Sequence, residues 1–284
     1  MPRDLNEWDL TVPSGLRLRV CEWGAPDGRL PTLILHGFLE QGAAWHEVAQ
    51  HLPGRVVAPD MRGHGLSGHV GTGGYYHFWD YVPDVLAVID HLGGRVDLVG
   101  HSMGGGVAVL LAALRPDRVR RFVNIEGLGP PDAADREVAH ADRFLAAMAS
   151  PPRHRPLQDL DDAVARMRRH NPGLSPGFAR FLASRTTRPE GEHRVWTWDP
   201  LHRSRSPTPF RAQMFRKFLA QLQSPVLYVS GGESGFRFPD HAEREAAIPH
   251  LETAVLPGAG HLMHHDRPAE LAALISEFLA DGAG

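Results

Sequence analysis

The chain has 284 residues, of which 42% are hydrophobic, and carries 30 basic and 33 acidic side chains. This length and composition predict a soluble chain with a sizeable core, in one large domain or a domain with an inserted subdomain. The net charge of −3 gives no indication of a nucleic-acid or anionic-membrane partner. A single cysteine excludes an internal disulfide, and we find neither a signal-peptide core nor the ~18 apolar residues of a membrane span. We therefore expect a cytoplasmic protein.

Short aliphatic and β-branched runs that end in turns recur along the chain, and we predict that they are strands. They are LRLRVCEW (16–23), TLILHG (32–37), RVVAPD (55–60), VDLVGHS (96–102), RFVNIEG (121–127), VLYVSG (226–231) and TAVLPG (253–258). Several are continuously apolar, which is typical of parallel strands covered on both faces. Apolar residues at helical spacing predict helices at 81–91, at 103–114 and after Pro268. The alternation predicts an α/β fold with a doubly wound, mostly parallel sheet.

The stretch 129–220 breaks this alternation. It contains no strand-like run, many prolines and arginines, and only short amphipathic segments, at 144–148, 164–167, 178–182 and 215–222. A structureless loop of this length is improbable inside a compact domain. We therefore expect a helical cap at 129–220, inserted into a core formed by 1–128 and 221–284.

The motif GHSMG at 100–104 has the pattern G-x-S-x-G and lies between a predicted strand and a predicted helix. In that context a sharp turn strains the backbone of the serine and holds its hydroxyl clear of the sheet. The pattern alone is common by chance, so its position between strand and helix carries the prediction. Ser102 is the candidate nucleophile.

A serine hydroxyl is a poor nucleophile near neutral pH and needs a general base. The motif GAGH, which ends at His261, follows the last predicted strand. His261 therefore lies at the carboxyl edge of the sheet together with Ser102, where open α/β sheets place their sites. It is the candidate base. We expect no metal at the nearby His264, His265 and Asp266, because no second set of ligands has suitable spacing.

Donors for a developing oxyanion are the next requirement of this chemistry. The motif HGF follows the run TLIL, and Phe38 is its last residue. The backbone N–H groups of Phe38 and of Met103, at the start of the predicted helix, are the natural pair. A role of HGF as a strand-ending turn is compatible with this one.

In this order and spacing, HGF, DMRGHGLS (60–67), GHSMGG and GAGH resemble the α/β-hydrolase fold superfamily. The resemblance covers roughly 15–128 and 223–281, and HGLSGH followed by two tyrosines further resembles the serine-hydrolase-like branch. It implies the fold of that superfamily and a triad of serine, histidine and an acid. Asp60 and Arg62 are expected to stabilise a turn and are not carried over as catalytic.

The position of the triad acid departs from the usual pattern of the superfamily. That pattern often has the acid three residues after the glycine that ends the run VLYVSG, where this chain has Ser234, with Glu233 one residue earlier. Glu126 closes the run RFVNIE at the same sheet edge, and the haloalkane dehalogenase branch resembles this arrangement. A carboxylate there is costly unless it is paired, and a histidine would pair it. We expect Glu126 to be the acid, while Glu233, Asp240 or no acid at all stay open.

The sequence therefore predicts a capped serine hydrolase with Ser102 as nucleophile, His261 as base and Glu126 as orienting acid. It would hydrolyse a carboxylic ester or related acyl bond of a small molecule through an acyl-enzyme, with no metal and no cofactor. A C–C bond hydrolase and a perhydrolase are alternatives. So is a non-catalytic ligand-binding protein on the same fold, which the serine in the usual acid slot favours.

Two tryptophans mark the predicted cap, Trp196 and Trp198. Aromatic side chains at this position indicate either an apolar wall of the substrate pocket or the packing of the cap's own small core. Both interpretations stay open, as does the oligomeric state.

Overall fold

The structure is a computed structural model, and it describes residues 3–71, 73–204 and 206–280. The strands are β1 (Leu5–Thr11), β2 (Arg17–Trp23), β3 (Thr32–Leu35), β4 (Val56–Pro59), β5 (Val96–His101), β6 (Val119–Ile125), β7 (Thr187–Glu190), β8 (His193–Trp196), β9 (Val226–Gly231) and β10 (Leu251–Leu256). The helices are α1 (His46–Ala49), α2 (Tyr81–His91), α3 (Met103–Leu114), α4 (Glu137–Ala149), α5 (Leu160–His170), α6 (Pro176–Thr186), α7 (Ala212–Leu219), α8 (His241–Ala246), α9 (Met263–Asp266) and α10 (Pro268–Ala280).

The main sheet has the strand order β1-β2-β4-β3-β5-β6-β9-β10. β2 runs antiparallel to both β1 and β4, and the other neighbours in the sheet are parallel. The predicted α/β fold with a mostly parallel sheet is confirmed. Since parallel strands end at the same edge, the loops that follow β3, β5, β6 and β9 meet there.

Apolar side chains cover both faces of this sheet. On one face Val88 of α2, Leu111 of α3 and Phe215 of α7 belong to one buried cluster. On the other, Val48 of α1 and Ile275 of α10 belong to a second cluster. Each fully buried aliphatic side chain contributes roughly 1.5–3 kcal/mol of hydrophobic free energy. The two helical layers therefore fix the sheet edge as a rigid platform for the loops.

Two parts of the chain differ from the predicted elements. β1 has no counterpart among the predicted strands, because it is an edge strand whose side chains are all partly or fully exposed, so it lacks an apolar run. The expectation that 129–220 holds no strand is wrong, since β7 and β8 form an antiparallel hairpin there. This hairpin is also mostly polar, and Gly191 provides its turn with a φ of 60°.

The stretch 129–220 contains α4, α5, α6, the β7–β8 hairpin and α7. Its contacts with the core include a hydrogen bond from the Tyr76 hydroxyl to Asp199 and one from His202 Nε2 to the Gly63 carbonyl. α7 packs against α3 of the core. The boundaries between cap and core at 128 and 220 stay a prediction. Among the helices of the described ranges, none has both the length and the apolar character that membrane crossing requires.

Candidate active site

Ser102 forms the sharp turn between β5 and α3. Its φ of 51° and ψ of −114° lie in a region that side chains rarely adopt. Its N–H donates to the Ile125 carbonyl at 2.9 Å, which ties the turn to the neighbouring strand. A Cβ at Gly104 would lie 2.3 Å from the Leu35 carbonyl oxygen, so only glycine lets α3 start this close to β3. The turn therefore holds the Ser102 hydroxyl at the edge of the sheet.

The structure brings Ser102, His261 and Glu126 together. His261 Nε2 lies 3.1 Å from Ser102 Oγ, and His261 Nδ1 lies 2.5 Å from Glu126 Oε2. A carboxylate can only accept, so Nδ1 carries the proton and Nε2 is left to accept the serine proton. The His261 side chain is 30% exposed and Glu126 is 2% exposed. The arrangement has the geometry of a nucleophile, a base and an orienting acid.

Glu126 follows β6 directly and has a φ of 47°. Its Oε1 accepts the Gly231 N–H at 2.9 Å, and its Oε2 accepts the Ser234 hydroxyl at 2.8 Å. Burial on its own raises the pKa of this carboxyl, but hydrogen bonds from His261, Gly231 and Ser234 outweigh burial and hold the pKa below its usual range. The side chain beside His261 is therefore a carboxylate at neutral pH.

The two alternative acids, Glu233 and Asp240, form no hydrogen bond with His261 in the described residues. The Glu233 side chain is exposed, and the Asp240 carboxylate accepts from Arg244 Nε at 2.8 Å. Within the residues that the structure describes, neither side chain bonds to His261. Ser234, which occupies the usual acid slot, instead donates to Glu126.

The candidate oxyanion donors come from neighbouring strands. Phe38 follows β3, Met103 begins α3, and Leu35 of β3 pairs with Gly100 of β5, so both N–H groups lie at one edge. Across the described ranges, neither N–H donates to a protein acceptor. Both are therefore available to a ligand, and their role in catalysis stays a prediction.

Two ionisable residues beside this site, Glu40 and His101, were not among the predicted site residues. Glu40 Oε2 accepts the Gly37 N–H at 2.7 Å and lies 3.2 Å from His101 Nδ1. Burial raises the pKa of Glu40, but His264 and His101 outweigh burial and hold it well below its usual range. The available signal was that His101 ends β5, a strand whose residues are all buried, because a buried polar side chain needs a partner.

Glu40, His264 and His265 bring potential metal-binding atoms within 4.8 Å of one another. The Glu40 carboxylate already accepts from Gly37 and faces both His101 and His264. Within the described residues neither ring nitrogen of His264 makes a hydrogen bond, and the expectation of no metal here stays a prediction.

The two tryptophans of the predicted pocket pack within the cap. Trp196 contacts a small buried cluster that includes Leu157, and Trp198 packs edge-on against His154 at 4.4 Å. These contacts fit the second of the two interpretations that the sequence left open, and a pocket role for either tryptophan stays a prediction. Three other aromatic rings lie on or against the elements that carry the triad, and the sequence predictions named only Phe38 among them, for its backbone N–H. Phe236 stacks on His261 at 4.2 Å, Phe38 is 50% exposed, and Phe78 lies over Gly106 of α3.

Residues 31–268 match the family model described as alpha/beta hydrolase fold. The chain is 30% identical to a serine hydrolase-like protein of Danio rerio, over 98% of this chain and 90% of that protein. It is 29% identical to a 3-hydroxybutyrate-oligomer hydrolase of Cupriavidus necator, over 92% of each. Among solved structures, the thioesterase domain from the curacin biosynthetic pathway superposes with a TM-score of 0.88 and 33% identity, covering 96% of this chain and 99% of that domain.

The chain belongs to the α/β-hydrolase fold family, and its relatives include serine hydrolases. The predicted superfamily is therefore confirmed.

Proposed function

We propose that this chain cleaves a carboxylic ester or a related acyl bond of a small molecule through an acyl-enzyme. Ser102 is the nucleophile, His261 the base and Glu126 the orienting acid. The observation that carries the proposal is the continuous chain of hydrogen bonds between them, with atom separations of 3.1 and 2.5 Å. Such a chain activates a hydroxyl that is otherwise a weak nucleophile.

The first half of the reaction forms the acyl-enzyme. Ser102 Oγ attacks the carbonyl carbon while its proton moves to His261 Nε2, and the negative charge that develops on the carbonyl oxygen is stabilised by the N–H groups of Phe38 and Met103. Glu126 stabilises the imidazolium. Collapse of the tetrahedral intermediate breaks the bond to the leaving group, which departs with the proton from His261.

The second half repeats these steps with water. His261 takes a proton from a water molecule as the water attacks the acyl carbon, and it then returns a proton to Ser102 Oγ as the carboxylic acid leaves. No group other than water and the named residues is needed to balance the reaction.

The relatives support an acyl bond as the target. One is named as a hydrolase of 3-hydroxybutyrate oligomers and another as a thioesterase. The ring of Phe236, which stacks on His261, and the exposed rings of Phe38 and Phe78 support an apolar group in the substrate.

The non-catalytic alternative depended on a serine in the usual acid slot. Ser234 donates to the carboxylate of Glu126 at 2.8 Å, so the serine is compatible with a working triad. No observation in the described residues favours C–C bond hydrolysis or perhydrolysis over the simpler acyl transfer to water.

The substitution Ser102→Ala tests the proposal. We expect wild-type protein to hydrolyse members of a panel of p-nitrophenyl esters of graded chain length and to be labelled by a fluorophosphonate. Ser102→Ala should lose labelling and lower kcat on the order of 10⁶-fold, while Ser150→Ala, an exposed serine at the end of α4, should change neither. A folded Ser102→Ala protein with wild-type turnover would contradict the proposal.

A further inference from the structure

His101 and Glu40 lie behind the triad, with side chains that are 1% and 13% exposed. We propose that they form an ion pair whose function is to position the oxyanion loop 37–38 and the main chain of His261 for the reaction. Both are positioning residues, since neither side chain touches Ser102 Oγ. The inference rests on the proposed function.

The hydrogen-bond partners of His101 determine its protonation state. Nδ1 lies 3.2 Å from Glu40 Oε2, and Nε2 lies 2.9 Å from the His261 carbonyl oxygen. A carboxylate and a carbonyl can only accept, so both ring nitrogens must donate, and only the imidazolium has two N–H groups. A neutral ring with a protonated Glu40 is disfavoured, because a carboxyl is about 2 pH units more acidic than an imidazolium.

His36, which lies close by, has a different set of partners. Its Nε2 accepts the Met61 N–H at 2.9 Å, and its Nδ1 lies 2.7 Å from the Gly37 carbonyl oxygen. One donor and one acceptor match a neutral imidazole. In agreement, burial lowers the pKa of His36 to about 4. Burial alone therefore does not make a histidine cationic in this part of the fold. A histidine becomes cationic here when both of its ring nitrogens face hydrogen-bond acceptors, as those of His101 do.

The pair connects three segments that must keep their geometry. Glu40 Oε2 holds the N–H of Gly37, next to the predicted donor Phe38, and His101 is the residue before Ser102. A Cβ at Gly37 would lie 2.7 Å from His101 Nδ1 and 2.8 Å from Glu40 Oε2. The absence of a side chain at this position thus lets the pair reach the loop.

The neighbouring histidines, His264 and His265, add no charge to the pair. His264 Nε2 lies 3.2 Å from Glu40 Oε1, and burial lowers the pKa of both His264 and His265. Burial also lowers the pKa of His101, but Glu40, the hydrogen bond to the His261 carbonyl and the charge of Glu126 outweigh burial and raise that pKa above the ordinary value. The positive charge of the His101 imidazolium and the negative charge of the Glu40 carboxylate therefore cancel.

The direct test is the protonation state of His101 in the wild-type protein. Histidine 15N–1H spectra at neutral pH, assigned by triple-resonance experiments, should give the imidazolium signature for His101 and a neutral tautomer for His36. A neutral His101 at this pH would overturn the inference, whether or not any variant folds.

Kinetics of Glu40→Gln test the positioning role, with the exposed Glu252→Gln of β10 as the matched control. We expect Glu40→Gln to lower kcat about 10–100-fold with little change in KM, because misplaced donors act on the transition state. Its affinity for an alkylboronic acid that mimics the tetrahedral intermediate should fall by a similar factor. Glu252→Gln should match wild type.

The pH profile separates positioning from a structural role. Wild-type activity should fall at alkaline pH as His101 loses its proton, and in Glu40→Gln this alkaline limb should move to lower pH, because the carboxylate no longer stabilises the imidazolium. Glu40→Asp should restore part of kcat. An unchanged alkaline limb with wild-type kcat in Glu40→Gln would overturn the inference while Ser102→Ala remains inactive, whereas an active Ser102→Ala would overturn the proposed function itself.

Discussion

The ends of β6 and β9 lie side by side in the sheet, and each supplies half of one interaction. After β6 comes a carboxylate, Glu126, in a left-handed backbone conformation with a φ of 47°. The end of β9 supplies donors instead, namely the N–H of Gly231, its last residue, and the hydroxyl of Ser234 in the turn that follows. Phe236 from the same turn stacks on His261. One strand end carries the charge and the other stabilises it.

This difference shows that the acid and its surroundings can come from separate strands. Ile125 of β6 pairs with Val229 of β9, so residues just beyond both strands reach the same side of His261. A buried carboxylate is costly without donors, and the end of β9 together with the turn after it provides two of them. The two strand ends are therefore complementary, and each can be altered separately.

The largest expected effect comes from removing the charge at the end of β6. Glu126→Gln keeps the shape of the side chain but loses the carboxylate that stabilises the imidazolium of His261. We expect kcat to fall about 10³–10⁴-fold with little loss of stability, by analogy with amide replacement of a triad acid. Steady-state kinetics on the best ester of the panel and a thermal melt measure the two quantities.

Glu233→Gln in the β9 turn is the matched control, and it should change kcat by less than about twofold, because substitution of an exposed surface side chain has little effect. If Glu233→Gln were the damaging change and Glu126→Gln harmless, the acid would belong to the β9 turn after all.

An intermediate effect is expected when the charge is moved from one strand end to the other. The Ser234 hydroxyl lies 2.8 Å from the carboxylate oxygen that contacts His261. In the Glu126→Gln background, Ser234→Asp should therefore restore activity by about 10–100-fold, within the loss expected for a missing triad acid. In the wild-type background the same change puts two carboxylates together, so one of their pKa values rises and activity should fall. A double variant no more active than Glu126→Gln alone would show that a carboxylate in the β9 turn cannot orient His261.

Much of the site could be predicted because its residues follow from positions along strands. Ser102, Glu126 and His261 each come just after a run that reads as a strand, and parallel strands bring such residues to one edge. The bounds of α2 and α3 agree with the predicted 81–91 and 103–114 for a similar reason, since helical periodicity is a local property.

The remaining features depend on the direction of side chains, which a pattern does not encode. Ser234 was noticed only as a missing acid, because its donation to Glu126 requires a contact across 108 positions. Glu40 and His101 are 61 positions apart, and nothing local links them. Trp196 reads equally well as pocket wall and as cap core, and only its neighbours distinguish the two.

The smallest expected effect comes from removing a donor at the end of β9. Ser234→Ala deletes one hydrogen bond to the charged Glu126, an interaction worth about 1.5 kcal/mol, so kcat should fall about tenfold or less.

The pKa of Glu126 lies below its ordinary value in part because of this donor. Activity is present above that pKa and is lost as the pH falls through it. Without the hydroxyl the pKa rises, so the loss on acidification should begin at a higher pH, whereas Ser234→Thr, which keeps a hydroxyl, should resemble wild type. An acid limb that is identical in Ser234→Ala and in wild type would mean that Gly231 and His261 alone stabilise the carboxylate.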